Sequence, residues 1–292
     1  MDIGKILKET ALLLWEVIKS IFALFRERPA QIIGSAFVLI MLWGYHGEVE
    51  LLSRLMPDTY VGPGKGWSDP MRLEPPTARP RILEGIPWDQ ELISFIIGLV
   101  LLAGIPMLII KFGFKEKLAD YGLGLPPKGH RKAGWLGFLA LMVLCIGPFY
   151  IGTLDGGPGN TMQYVYPLYR PFTDMSQFII YELTYLTFFI AIEFIFRGYL
   201  LFGLSRVKDQ AVNQSGNGIA GPLFFGSYAI LIQMLSYTAW HLGKPVPELW
   251  GTLVWGLIAG TIAYRSRSIW PVTLAHYLLN VFMDYMILGH LD

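Results

Sequence analysis

Apolar residues in this chain come in long runs rather than in short alternating patches. A helix needs roughly 20 apolar residues to cross about 30 Å of hydrocarbon. Seven stretches approach that length: Ala30 to His46, Ile93 to Phe112, Ala133 to Thr153, Gln177 to Leu204, Ile219 to Trp240, Glu248 to Tyr264 and Ser268 to Leu288. The pattern predicts an all-α polytopic membrane protein with about seven transmembrane helices. Gly221, Pro222 and Gly226 interrupt the fifth stretch, so a half-length or re-entrant helix is the alternative there.

The first 29 residues read differently. Leu12, Trp15, Val17, Ile21, Phe22 and Phe25 follow a helical rhythm, but Glu9, Glu16, Lys19 and Arg26 are set among them. A helix with one apolar face and several charges suits the membrane interface better than its interior. The same charges argue against a cleavable signal peptide. Between the first two spans, the loop from Gly47 to Gln90 holds seven prolines and is expected to be irregular. The organisation is therefore residues 1–29 as an amphipathic helix, 30–116 as two spans with the Pro-rich loop, and 117–292 as a core of five spans.

Composition agrees with the pattern. The 292 residues are 53% hydrophobic and 15% charged, with mean hydropathy +0.46, where soluble chains run nearer a quarter charged. A net charge of +1 supplies no basic field for nucleic acid; the partners implied are a lipid bilayer and something within it. One cysteine, Cys145, permits no internal disulfide. Lys and Arg are unevenly shared between alternate loops. With the N-terminus cytoplasmic, the inner segments carry 15 and the outer ones 7, and Arg197 lies within a span. The positive-inside rule then places the N-terminus in the cytoplasm, in a cell (inner) membrane, and the Pro-rich loop opposite.

Ionisable groups inside spans cost a few kcal/mol each on insertion scales and are functional candidates by default. Three clusters qualify. The fourth span carries Glu193 and Arg197, four residues apart on one helix face. The fifth ends in Tyr237-Thr238-Ala239-Trp240-His241. The seventh carries His276 and Asn280, again four apart, with Asp284 one turn on. A carboxylate, two imidazoles and an amide drawn from three helices make a hydrolytic set: Glu or His can take a proton from water, and an amide can donate to an oxyanion. Each also has a plainer reading. Glu193 and Arg197 can form a self-neutralising ion pair, His241 a packing residue, and His276 with Asn280 an interhelical clamp. Glu248 reads as a solvated helix start, and Glu182 as a boundary or pore-lining group.

In this order on successive helices, the clusters resemble the CPBP family of intramembrane proteases, which includes the type II CAAX prenyl endopeptidases and bacteriocin-processing relatives. The family pattern is Glu-Glu-x-x-x-Arg, then Phe-x-x-x-His, then His-x-x-x-Asn. Glu193 to Arg197 match the end of the first motif, His241 the second, and His276 with Asn280 the third in full. Leu118-Ala-Asp120-Tyr121-Gly122-Leu123 also looks like a family feature, so the resemblance runs from Lys117 to Asp284. Two positions depart from it. Tyr237 stands for the Phe, a mild change, and Ile192 stands for the first Glu, the family's expected water-activating base. A helix turns about 100° per residue, so Glu193 does not present its carboxylate where residue 192 would.

The resemblance implies an intramembrane endopeptidase acting on a membrane-associated protein or peptide. In that reading Glu193, His241, His276 and Asn280 are catalytic: Glu193 activates water with help from His241, while His276 and Asn280 stabilise the oxyanion. Arg197 sets the charge of Glu193. Zinc on Glu193, His241 and His276 is an open option, as is a metal-free Glu/His mechanism. Two other classes stand beside it: a non-catalytic scaffold or immunity protein that lost its base at Ile192, and a small transporter lined by Glu193, Arg197 and His276. A transporter would be expected to show repeated halves, and the sequence has no repeat.

Overall fold

The computed structural model describes residues 3–44, 88–154, 162, 166–167, 172, 174–205, 222–242, 244 and 246–289. Those residues are almost wholly helical, and none of them is in a strand. The greater part of the Pro-rich loop lies outside the described residues.

Helix α1 (Ile3–Leu24) stands apart, with Leu12, Leu13, Trp15 and Phe22 all more than half exposed. Such apolar exposure suits a helix whose solvent is lipid headgroup and acyl chain rather than water. Helix α2 (Arg28–Leu42) opens on Arg28-Pro29, where proline's fixed φ and missing N–H are tolerated. It has 15 residues, about 22 Å at 1.5 Å per residue, and winding continues in wider turns through Trp43 and Gly44, while residues 45 and 46 of the expected stretch lie outside the described residues. Helix α3 runs without interruption through Trp88–Gly98, Leu99–Gly104, Ile105–Leu108 and Ile109–Gly113, the second and fourth segments wound in wider i→i+5 turns. Helix α4 spans Arg131–Thr153, α5 Met175–Ser205, α6 Pro222–Trp240, α7 Val246–Ser266 and α8 Trp270–Gly289.

Five helices are long and apolar enough to cross a membrane: α3 from Leu92, α4 together with the turn before it, α5, α7 and α8. Helix α6, 19 residues long, begins in the structure at Pro222; residues 219–221 of the fifth predicted span lie outside the described set. Of the seven spans read from the sequence, five are therefore matched by length and apolarity.

Helix α5 is the axis of the molecule. Asp174 caps it, accepting from the Gln177 N–H at 3.0 Å, and nearly every residue from Phe188 to Leu204 is buried. Helices α3, α6 and α8 pack around it, α7 lies against α6, and α4 closes the side formed by α7 and α8. The segment 118–124 clamps this arrangement. Tyr121 is fully buried and donates to Glu116, which also pairs with Arg28. Gly122 takes φ +80°, a left-handed conformation that only glycine adopts freely. Its carbonyl then accepts from Ile269 N–H, while the Leu123 and Gly124 carbonyls accept from Trp270 Nε1 and Ser268 Oγ. These bonds fix the start of α8, and with it the register that sets His276 beside α5.

Candidate active site

Helix α5 changes its winding at the first cluster. It is α-helical through Glu193 and wound in i→i+5 turns over Phe194–Phe202. Such wide turns inside helices often occur at functional sites. The change begins after Glu193, so it adjusts Arg197 relative to Glu193 and leaves the 192-to-193 relation that of an ordinary helix. Ile192 is accordingly buried among the apolar core residues.

The side chains of Glu193 and Arg197 have no exposed surface. Glu193 Oε1 receives Arg197 Nη1 at 3.3 Å and His276 Nδ1 at 2.7 Å. Because a carboxylate only accepts at that atom, His276 carries its proton on Nδ1 and turns Nε2 toward the Tyr237 hydroxyl, which donates at 3.4 Å. Phe189 and Trp255 flank the His276 ring, each with centroids 4.8 Å away. The Arg197 guanidinium lies 4.2 Å from the Tyr237 ring centroid, a cation–π contact that offsets part of the cost of burying the charge. One turn beyond His276, Asn280 donates Nδ2–H to the His276 carbonyl at 3.0 Å. An amide nitrogen carries two protons, which leaves a second N–H for another acceptor.

Tyr237 links this inner cluster to an outer one. Its ring meets His241 edge-on at 4.5 Å, and its backbone carbonyl accepts from His241 Nδ1 at 2.8 Å. A carbonyl cannot donate, so His241 Nε2 is the lone-pair nitrogen. It faces Glu248 Oε1 at 3.7 Å, where α7 begins after the Lys244 turn. Glu248 Oε1 also accepts from the Tyr166 hydroxyl at 2.8 Å and lies 3.8 Å from Lys244 Nζ, which itself donates to Tyr166 at 3.3 Å. Burial, and then the adjacent Glu248 carboxylate, push Tyr166 well above the usual tyrosine range, so it remains a neutral O–H donor.

The four residues expected from sequence thus belong to one chain of contacts: Glu193 to His276, His276 to Tyr237, Tyr237 to His241, with Asn280 backing His276. Glu248 is not the solvated helix start that its position suggested. It occupies the first turn of α7, yet its side chain is 11% exposed and faces His241. Tyr166, from the stretch between α4 and α5, carried no sequence signal at all. A third acidic site lies outside this chain of contacts: Glu182 on α5 and Asp284 on α8 are both buried. His276 gives Nδ1 to Glu193 and His241 gives Nδ1 to a backbone carbonyl, which leaves Nε2 as the nitrogen either could offer a metal and makes Glu193 a partner of His276. Among the described residues no three His, Cys, Asp or Glu side chains are gathered as a metal-binding set.

No curated protein and no solved structure matches the chain significantly. A family model does match, and it covers the helices that carry every one of these contacts except those of Tyr166: residues 175–282, from the start of α5 to just past Asn280, match the Rce1-like family, described as type II CAAX prenyl endopeptidase Rce1-like.

Proposed function

We propose that this integral membrane protein is an intramembrane endopeptidase that hydrolyses a peptide bond in a membrane-associated protein or peptide. The observation that carries the reading is the 2.7 Å contact from His276 Nδ1 to Glu193 Oε1. A buried carboxylate that fixes a histidine tautomer leaves Nε2 to exchange protons or bind developing charge, the arrangement general acid–base hydrolysis requires. In this reading Glu193 is a positioning residue for His276, and Arg197 keeps it ionised. His241 takes part in water activation, and the second N–H of Asn280 is an oxyanion donor. The direct test compares the termini of membrane polypeptides in cells carrying wild-type protein or His276→Ala. New termini present with wild type and absent with the variant support the reading; identical termini in both overturn it.

One observation favours a second reading. Position 192, where the resembling family carries its base, is an isoleucine packed in the core, as expected of a non-catalytic scaffold that keeps the fold. If Glu193→Gln leaves the polypeptides unchanged and Ile192→Glu creates new ones, the chain is a retired protease. For orientation we propose a cytoplasmic N-terminus, on the 15-to-7 charge bias. Cysteines introduced as Ser68→Cys and Gly129→Cys test it in intact cells. An impermeant reagent should label position 68 only, and labelling of 129 only would reverse the topology.

A further inference from the structure

The reaction needs a group that takes a proton from water, and the inner carboxylate is poorly placed for it. Glu193 has no exposed surface: its Oε1 accepts from two donors, and its Oε2, without a hydrogen-bond partner among the described residues, is enclosed with the rest of the side chain. A base must come within hydrogen-bond reach of the water it deprotonates. The outer cluster lies closer to the surface. Glu248 and His241 have side chains 11% and 8% exposed, at the edge of the buried region. Glu248 Oε2 is buried and has no hydrogen-bond partner among the described residues. His241 Nε2 is a lone pair, because Nδ1–H is held by the Tyr237 carbonyl. The 3.7 Å between Nε2 and Glu248 Oε1 is too long for a direct hydrogen bond. Two acceptors set side by side in this way are satisfied by one molecule that donates two protons.

We propose, building on the peptidase reading, that Glu248 is the catalytic base, supplying with His241 the carboxylate that position 192 no longer carries. A water donates one O–H to Glu248 Oε2 and the other to His241 Nε2. Glu248 takes a proton as the water oxygen forms a bond to the peptide carbonyl carbon, and the carbonyl electron pair moves to its oxygen. Collapse of that tetrahedral species breaks the C–N bond. The proton held by Glu248 passes to the leaving nitrogen, giving a carboxylic acid and an amine, so the glutamate is regenerated. Tyr166 and Lys244, both on Oε1, are positioning residues that leave Oε2 toward the water.

The test uses isolated membranes containing the full-length protein, with the new termini of the previous section as readout. Glu248→Gln keeps the shape and the Tyr166 acceptor and should lower the rate of product formation by about 100-fold or more, the scale of a lost general base. Glu248→Ala should be equally inactive and regain activity with added formate, which a merely structural role would not produce. Glu248→Asp, which keeps the charge, covers the case in which the neutral variants fail to fold: it should fold and lose about 10-fold as the carboxylate retreats by one methylene. If the Gln and Asp variants keep the wild-type rate while His276→Ala abolishes it, the base is elsewhere and the peptidase reading survives. Inactive Glu248→Ala that formate does not restore, with Glu248→Asp at the wild-type rate, also overturns the assignment. If His276→Ala and Glu248→Gln both leave the termini unchanged, both proposals fall.

Discussion

Two carboxylates lie on either side of Tyr237, and their surroundings are opposite. Glu193 sits wholly inside α5, its charge met by a buried guanidinium and its oxygen held by an imidazole 2.7 Å away. Glu248 sits in the first turn of α7, where the helix N-terminus favours a negative charge, and its partners are a hydroxyl, a lysine 3.8 Å away and an imidazole lone pair. In the proposed reading the inner group orients His276. Both carboxylates keep an Oε2 without a hydrogen-bond partner among the described residues, but only the outer one lies at the edge of the buried region. In that reading burial alone does not mark the reacting group: the carboxylate with no exposed surface is the one less able to meet water.

The largest effect that would break this contrast is on the inner side. Arg197→Ala leaves the Glu193 carboxylate buried without a counter-charge and should cost about 3–5 kcal/mol, seen as lost folded yield and a lower thermal midpoint in detergent. Wild-type stability would mean that the inner cluster is not held electrostatically. Replacing both partners, Glu193→Gln with Arg197→Met, should return stability to within about 1 kcal/mol of wild type. Product formation should stay about 100-fold down, because His276 loses its ionised partner. Recovery of activity along with stability would make Glu193 purely structural. On the outer side, Tyr166→Phe removes one O–H donor to Glu248 and should cost about 1 kcal/mol, with a several-fold slower reaction and little change in yield. The smallest effect belongs to the link between the clusters. Tyr237→Phe keeps the ring beneath Arg197 and loses only the hydroxyl at 3.4 Å, so stability should fall by no more than about 0.5 kcal/mol. A larger drop would show that the two clusters are coupled through that hydroxyl.

Much of the inner cluster was legible in the sequence. The four-residue spacings of Glu193 with Arg197 and of His276 with Asn280 are intrahelical relations, and helix geometry alone predicts them. The long spans were legible for the same reason, since length and apolarity are local properties. Glu248 was misjudged through a local rule that is itself correct. An acidic residue in a helix's first turn is usually solvated there, and what removes it from solvent is tertiary. Tyr166 stands 82 positions earlier in the chain, and His241 lies across a proline-bounded turn from it. Neither relation has a periodicity to betray it. By sequence alone Tyr237 is a mild replacement for phenylalanine, and its hydroxyl acquires meaning only once α8 brings Nε2 of His276 within reach.

Both histidines of the site are closed at one end. His241 Nδ1 is tied to the carbonyl of its own helix and His276 Nδ1 to Glu193. A proton wire needs rings that receive on one nitrogen and release from the other, and each of these rings can do so only at Nε2. Protons can be lent and returned here but not carried through. Such traffic suits hydrolysis, in which the proton taken from water goes back to the leaving group at the same place. A transporter that drives a solute with a proton gradient would leak nothing through this cluster and gain nothing from it.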